Sequence, residues 1–340
     1  MEWLACTGGT GPTGDVGGDG TDENWVVAQP VLESSGEVGE AAWIADRLSP
    51  FGSGLLPSVI PAGFEAYARL LHPAEEPGHG DRLVRWADVA AWSGVALLPS
   101  SQFPDVGLPE HEPSGPDPLS GQGPQQGTLY AADADVLVEV LAGYTSTPER
   151  CWFYVWEGYG PSGAGPRVRL PGRDYLLYAG PIGGAGDFID LQVHLPNLWW
   201  PADRVWCVAS EIDLPWTYVG GSSALVEHLT GDPRIEAQPA SASDNHHQRA
   251  PDWLVQPIER AVVELLDSSQ ATVHTWRGTV RAHLQRPQGQ RSGSLSTERE
   301  HANGMRTGSR WMLLVKRDHD RLREVVTGSL TSAVIELVER

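Results

Sequence analysis

The sequence predicts an α+β protein whose antiparallel sheet, over about residues 151–213, is packed by helices near 133–143 and 222–230. A flexible N-terminal leader and a basic C-terminal extension complete this fold class. The helices are predicted by apolar residues at helical spacing. The sheet is predicted by consecutive apolar segments, most of them bounded by Gly, Pro or Asn, as in an antiparallel meander: 151–157, 175–179, 188–195 and 205–212.

Composition supports a globular protein. Of the 340 residues, 40% are hydrophobic and 20% are charged, which permits a sizeable core. No run of about 18 apolar residues occurs, so the sequence predicts neither a transmembrane helix nor a membrane partner. The first residues lack the basic and apolar regions of an export signal. A cytoplasmic location is therefore expected.

The chain divides into four predicted parts. Residues 1–38 are a flexible, Gly-rich leader. Residues 39–240 are an acidic, Trp-rich α+β domain that contains a Pro- and Gly-rich surface loop at 99–127. Residues 251–286 form a helix and a β-hairpin. Residues 287–340 are a basic linker and an amphipathic segment, and this part is native to the fold, a fusion or a frame-shifted tail.

Local signals place the helices within these parts. Short helices are expected at 41–48 and 86–92. Asp133 is expected to cap the helix before the sheet, and Ser222 the helix after it. Pro257 is expected at the first turn of a helix, where its missing N–H costs nothing.

The charge is unevenly distributed along the chain. The formal net charge is −20 overall, with −25 on residues 1–270 and +5 on residues 271–340. An acidic body repels phosphates, so nucleic acid is not expected as its partner. For the basic extension, binding of a polyanion stays open as an alternative.

The sequence lacks the motifs of phosphate-binding, dinucleotide-binding and metal sites. Lys316, the single lysine, is not in a phosphate-binding loop. The Gly-x-Gly-x-x-Gly patterns that begin at Gly9 and Gly158 are interpreted as turns, because neither lies between a strand and a helix. No metal-ligand spacing is present, so we expect no metal and no cofactor. Cys151 and Cys207 lie in apolar segments, which predicts buried, reduced thiols.

The densest group of aromatic and charged residues lies at 196–213. Glu211 and Asp213 are two residues apart and share one face of the predicted strand. Paired carboxylates beside aromatic rings are what a sugar site needs. Both residues are therefore candidates for a general acid or base.

Trp199 and Trp200 face opposite ways in an extended chain, so they cannot both enter one core. We expect one of the two indoles to line a concave site with Asp203, within reach of Arg173 or Glu211. The candidate ligand-binding residues are Trp199, Trp200, Asp203, Arg204, Arg173 and Glu211.

Three interpretations of this region stay open: a core, in which the tryptophans are buried and the acids pair with Arg204 or Arg173; a ligand groove; or a catalytic site. The predicted function is a non-enzymatic binding protein that recognises a protein or a small polar ligand, because cofactor and nucleophile motifs are lacking beside an acidic, Trp-rich surface. The alternative is a hydrolase, of sugar or ester type, that uses Glu211 or Asp213. It requires one of these carboxyls to have a raised pKa in an open cleft.

Five segments together resemble an uncharacterised family of actinobacterial proteins. The resemblance covers about residues 40–240 and leaves out the leader and the basic extension. It implies a bacterial, cytosolic setting and no known activity, so no functional residue is carried over. The segments are FEAYARLLHP from Phe64, WADVA from Trp86, CWFYVWEG from Cys151, LPGRDYLL from Leu170 and NLWWPADRVWCVASEID from Asn197.

Overall fold

The fold is that of a computed structural model, in which residues 31–340 form one compact unit. Most of the predicted leader, residues 1–38, lies outside the described residues. The structure describes residues 33–34, 36–50, 53–75, 83–119, 123–159, 167–170, 173–186, 188, 195–246, 251–275, 278–285, 292–301, 306–314, 326–327 and 330–331.

The centre of the fold is a nine-stranded antiparallel sheet, which confirms the α+β class. The first eleven strands are β1 (Glu33–Ser34), β2 (Ala66–Leu71), β3 (Ala74–Glu75), β4 (Leu83–Val84), β5 (Cys151–Trp156), β6 (Arg167–Leu170), β7 (Arg173–Gly180), β8 (Leu198–Pro201), β9 (Cys207–Ser210), β10 (Trp216–Gly221) and β11 (Ala237–Ala240). The order is β1-β7-β5-β8-β9-β10-β2-β11, and β6 also pairs with β7. β3 and β4 form a separate ladder. The sheet thus extends beyond residues 151–213 through β2, β10 and β11.

The helices follow most of the predicted positions. Those with described bounds are α1 (Ala42–Ala45), α2 (Trp86–Ser93), α3 (Phe103–Gly107), α4 (Ala131–Ala142), α5 (Ser223–Gly231) and α6 (Asp252–Ser268). Ser222 caps α5 as predicted, and its hydroxyl accepts a hydrogen bond from the Leu225 amide at 3.2 Å. The segment 99–127 differs from the predicted surface loop, because α3 lies within it and buries Phe103 and Val106.

The sheet separates two cores. Along β5, Trp152 and Tyr154 enter the front core, whereas Phe153 and Val155 enter the back core. The front core is covered by α1, α2 and α3, and the back core by α4 and α5. Because both faces are buried, the central strands carry large apolar residues at nearly every position rather than at alternate ones.

The adjacent tryptophans of β8 belong to different cores. Trp199 is 2% exposed in the back core, and Trp200 is fully buried in the front core. They face opposite ways as predicted, but each faces a covered side of the sheet. The expectation that one indole lines a concave site is therefore wrong, since it assumed that one side of the strand is open.

The C-terminal part of the chain forms a second antiparallel sheet, with the order β12 (Gln270–Thr275), β13 (Gly278–Gln285), β14 (Ser292–His301) and β15 (Arg306–Leu314). Its apolar side packs on α6, and Val326 and Leu330 join the same core. The expected helix and hairpin are present. Residues 292–301 and 306–314 differ from the expected basic linker, because backbone pairing joins them as two strands of this sheet.

Three local expectations are wrong. Asp133 lies within the first turn of α4, where it is 2% exposed and bound by Arg85, so a tertiary ion pair replaces the predicted cap. Pro257 lies inside α6, because that helix begins earlier, after Pro251. Phe188, the start of a predicted strand, is helical, and residues 189–194 of that prediction lie outside the described residues. Each local signal is compatible with two positions, and tertiary packing selects between them.

We predict that Trp199→Ala and Trp200→Ala each lower the free energy of unfolding by about 3–5 kcal/mol, because each empties a buried indole site. Urea unfolding measures both values. The control is Val205→Ala, which removes a side chain that is 43% exposed in the same hairpin and should change stability by less than about 0.5 kcal/mol. A marked difference between the two tryptophan variants would contradict the burial of both indoles.

Candidate functional site

An acid–aromatic patch lies where β5 ends, β7 begins and the chain leaves β9. We define it as Trp156, Tyr159, Arg173, Glu211 and Asp213. In the antiparallel register of β5 and β7, Trp156 is opposite Tyr175, two residues after Arg173. The end of β5 and the start of β7 therefore lie together. Glu211 and Asp213 follow β9 directly.

Arg173 is the centre of the patch. Its guanidinium donates two hydrogen bonds to the Glu211 carboxylate, from Nη2 and, at 3.2 Å, from Nε. It also donates from Nη2 to Asp213 at 3.3 Å. The guanidinium carbon lies 5.2 Å from the centroid of the Trp156 ring, which adds a cation–π contact. One cation thereby holds two carboxylates and one indole.

The two carboxylates differ in exposure. The Glu211 side chain is 12% exposed, whereas that of Asp213 is 78% exposed. Burial raises the pKa of Glu211 above its ordinary value, and the Arg173 guanidinium opposes that shift. Asp213 therefore presents the accessible negative charge of the patch, while Glu211 mainly fixes Arg173.

Asn197 supports the patch from below, although nothing in the sequence marked it. It is 3% exposed, accepts a hydrogen bond from the Trp156 amide at 2.8 Å, and donates to the Ser210 carbonyl at 3.1 Å. Its side-chain amide also lies 3.4 Å from the Tyr159 hydroxyl. A side chain that must join three strands requires both a donor and an acceptor, which Asn provides.

Gly127 allows a loop to approach the patch closely. Its φ is +79°, in the left-handed region that favours glycine. A Cβ atom there would lie 2.9 Å from the Ile212 carbonyl and 3.1 Å from the Tyr159 hydroxyl. The loop that contains Gly127 can therefore pack here only without a side chain at this position.

The predicted site residues are not all brought together. Arg173, Glu211 and Asp213 form the patch, and this ion pair is the one that the core interpretation anticipated. Trp200 and Arg204 lie elsewhere on the front face, where both are close to Trp43. Trp199 lies on the back face.

Asp203 stabilises the backbone of a turn. Its carboxylate accepts hydrogen bonds from the Thr145 hydroxyl at 2.9 Å and the Ser146 amide at 2.8 Å. Burial would raise the pKa of Asp203, but these hydrogen bonds hold it below its ordinary value. Arg204, the next residue, has a φ of 55°, which is unfavourable for a residue with a Cβ. This contact network places the Arg204 side chain at the turn between β8 and β9.

A second polar cluster lies on the back side of the sheet, because Thr217 and Ser210 share the strand faces of the back-core residues Val219 and Val208. His72 is fully buried; its Nδ1 is 2.8 Å from the Gln125 carbonyl and its Nε2 is 2.9 Å from the Thr217 hydroxyl. That hydroxyl is 2.6 Å from the Ser210 hydroxyl. Burial lowers the pKa of His72 to about 4, so the imidazole is neutral near pH 7. The cluster connects the end of β2 with β9 and β10.

Within the described part of the chain, no group of three or more His, Cys, Asp or Glu could hold a metal ion. Cys151 and Cys207 are buried free thiols, and burial raises the pKa of Cys151 to about 12. No helix in the described residues has the length and apolar character needed to cross a membrane.

Comparison with known proteins yields no relative: no family model, no curated protein and no solved structure matches this chain. The resemblance of residues 40–240 to an actinobacterial family therefore stays a prediction.

We predict that Arg173→Met lowers the free energy of unfolding by about 3 kcal/mol, because it leaves the Glu211 carboxylate buried without a partner. Adding Glu211→Leu should restore most of the loss, since the uncompensated charge is then gone. Denaturant unfolding of both single variants and the double variant gives the coupling. The matched control is Arg169→Met, from an ion pair whose arginine is 84% exposed, and it should have little effect. Additive losses in the double variant would contradict this account.

We predict that His72 makes the protein less stable in mild acid. The folded pKa of about 4 lies below the unfolded value of about 6.5, so the unfolded chain binds more protons between them. The contribution of neutral His72 is complete above pH 6.5 and is lost progressively as the pH falls towards 4. At pH 5 the loss is about 2 kcal/mol relative to pH 7.

The measurement is urea unfolding at pH 7 and pH 5. His72→Gln should show a smaller drop than the wild type, whereas exposed His228→Gln should keep the wild-type drop. Equal drops in the wild type and in His72→Gln would contradict the assignment.

Proposed function

We propose that the protein is a non-enzymatic binding protein that recognises a protein or a small polar molecule at the acid–aromatic patch. The observation that carries this proposal is the exposed Asp213 carboxylate beside two half-buried aromatic rings, Trp156 and Tyr159. The rings lie in T-shaped contact, with centroids 5.3 Å apart. They offer apolar area for stacking, and Asp213 offers a charged hydrogen-bond acceptor.

Charge supports a cationic or hydroxyl-rich ligand. The patch contains two carboxylates and one guanidinium, and residues 1–270 carry a net charge of −25. An acidic surface attracts basic partners over several ångströms and repels anionic ones. The reduced state of Cys151 and Cys207 is compatible with the cytoplasmic location that we propose for this interaction.

The test compares immobilised wild type with Asp213→Asn against a panel of cationic peptides and neutral oligosaccharides. We expect the wild type to retain members of at least one class, and we expect about tenfold weaker retention by Asp213→Asn, because a charge-assisted contact is lost. Asp135→Asn, which changes an exposed acid on α4 at the back face, is the charge-matched control. Failure of the wild type to retain either class, or equal retention by all three proteins, would contradict the proposal.

A hydrolase remains the second candidate because burial raises the pKa of Glu211, as a general acid requires. Its proton-accepting atoms, however, are engaged by Arg173. A panel of sugar and ester substrates decides between the two functions. Turnover that disappears in Glu211→Gln would replace the binding proposal with the enzymatic one.

A further inference from the structure

Three arginines lie against two tryptophans at the opposite end of the front face from the patch. The guanidinium carbons of Arg47 and Arg204 lie 5.4 Å and 5.8 Å from the Trp43 ring centroid. The guanidinium carbon of Arg150 lies 5.4 Å from the centroid of the Trp152 ring. Residues 1–270 contain only 12 basic residues among 37 acidic ones. Convergence of three of the 12 on one aromatic group is a strong local concentration of positive charge.

The aromatic group beneath these cations contains buried donors that have no acceptor. Trp43 and Trp152 each contact Trp200, with centroids 6.1 Å and 6.2 Å apart, and the Tyr154 ring lies 5.0 Å from Trp200. All four side chains are more than nine-tenths buried. Among the described residues, no hydrogen-bond partner reaches their three indole N–H groups or the Tyr154 hydroxyl. Buried donors in such a position are costly unless an acceptor reaches them.

Two carboxylates of one short segment hold two of the arginines. Glu37 pairs with Arg150 at 3.1 Å, and Glu40 pairs with Arg204 at 2.8 Å. The two acids are three residues apart at the 3₁₀ turn formed by Val38–Ala41, where residues i and i+3 lie on the same side. Both pairs are substantially exposed to solvent. Ion pairs of this kind are held weakly in water.

We propose that this arginine–tryptophan cluster, defined as Arg47, Arg150, Arg204, Trp43, Trp152, Tyr154 and Trp200, is a binding site for a small molecule with two anionic groups. Glu37 and Glu40 occupy the two arginines as internal carboxylates in this structure. A dicarboxylate or a diphosphate exchanges with them and pairs with Arg150 and Arg204.

The donor set explains the class of ligand. Guanidinium and indole N–H groups donate and do not accept, so they select a ligand that is rich in acceptors. A cationic or purely apolar ligand would satisfy neither the arginines nor these donors. The site is thus opposite in preference to the acid–aromatic patch and independent of the function proposed there.

The experiment is a tryptophan-fluorescence titration with pyrophosphate and, separately, with glutarate, at constant ionic strength. The wild type should show a saturable change. The double variant Glu37→Gln/Glu40→Gln should bind about tenfold more tightly, because the two internal competitors are neutralised. The double variant Arg150→Gln/Arg204→Gln should lose saturable binding of both probes.

Controls separate this site from general charge effects. The double variant Arg234→Gln/Glu139→Gln, which removes an exposed ion pair elsewhere, should bind like the wild type. Asp213→Asn should also leave the affinity unchanged, so failure here is distinguishable from failure of the proposed function. The absence of saturable binding in both the wild type and Glu37→Gln/Glu40→Gln would overturn the proposal. Binding that is insensitive to Arg150→Gln/Arg204→Gln would overturn it as well.

Discussion

The pairing of β5 with β8 is the interaction on which the rest of the structure depends. Across this pair Trp152 is opposite Trp200, and Phe153 is opposite Trp199. The first pair is stacked in the front core and the second in the back core. Aromatic cross-strand pairs fix the register of a sheet, because a slip by one residue would move every ring to the other face. Both helical layers pack on surfaces that these rings create.

The same strand pair positions both candidate sites. β5 carries Trp152 at one end, under Arg150, and Trp156 at the other, under Arg173. Successive front-face residues of a strand are about 6.6 Å apart, so a continuous aromatic row separates the two arginines. One row of rings therefore has a cationic cluster at one end and an exposed carboxylate at the other. Opposite electrostatic preferences can coexist in one acidic domain because salt largely screens exposed charges that lie more than about 8–10 Å apart.

Arg173 contributes both to the stability of the fold and to the candidate binding site. Its bonds to Glu211 offset the cost of burying a carboxylate, and its contact with Trp156 orients the indole. Removing it would disturb stability and any ligand contact at once. Asp213 is different, because its exposure allows substitution without disturbing the core. For this reason Asp213 separates binding from folding more cleanly than any other residue of the patch.

Period-two alternation was sufficient to predict much of the sheet. The opposite facing of Trp152 and Phe153, and of Trp199 and Trp200, depends only on backbone geometry and was predictable from residue spacing. The association of Arg173 with Glu211 was anticipated as one alternative, because few cations are available to so many acids. Helix positions with strong periodicity, such as α4, were also predictable.

Tertiary structure alone decided which faces are covered and which side chains meet. The local sequence pattern does not distinguish the environments of Trp199 and Trp200. Both are buried because helices pack on both sides of the sheet. The roles of Asn197, His72 and Glu40 depend on partners 41, 145 and 164 residues away. No short sequence window contains such pairs. Residue spacing along the chain determines which way a side chain faces. Long-range contacts determine its burial and its partners, and its chemistry depends on both.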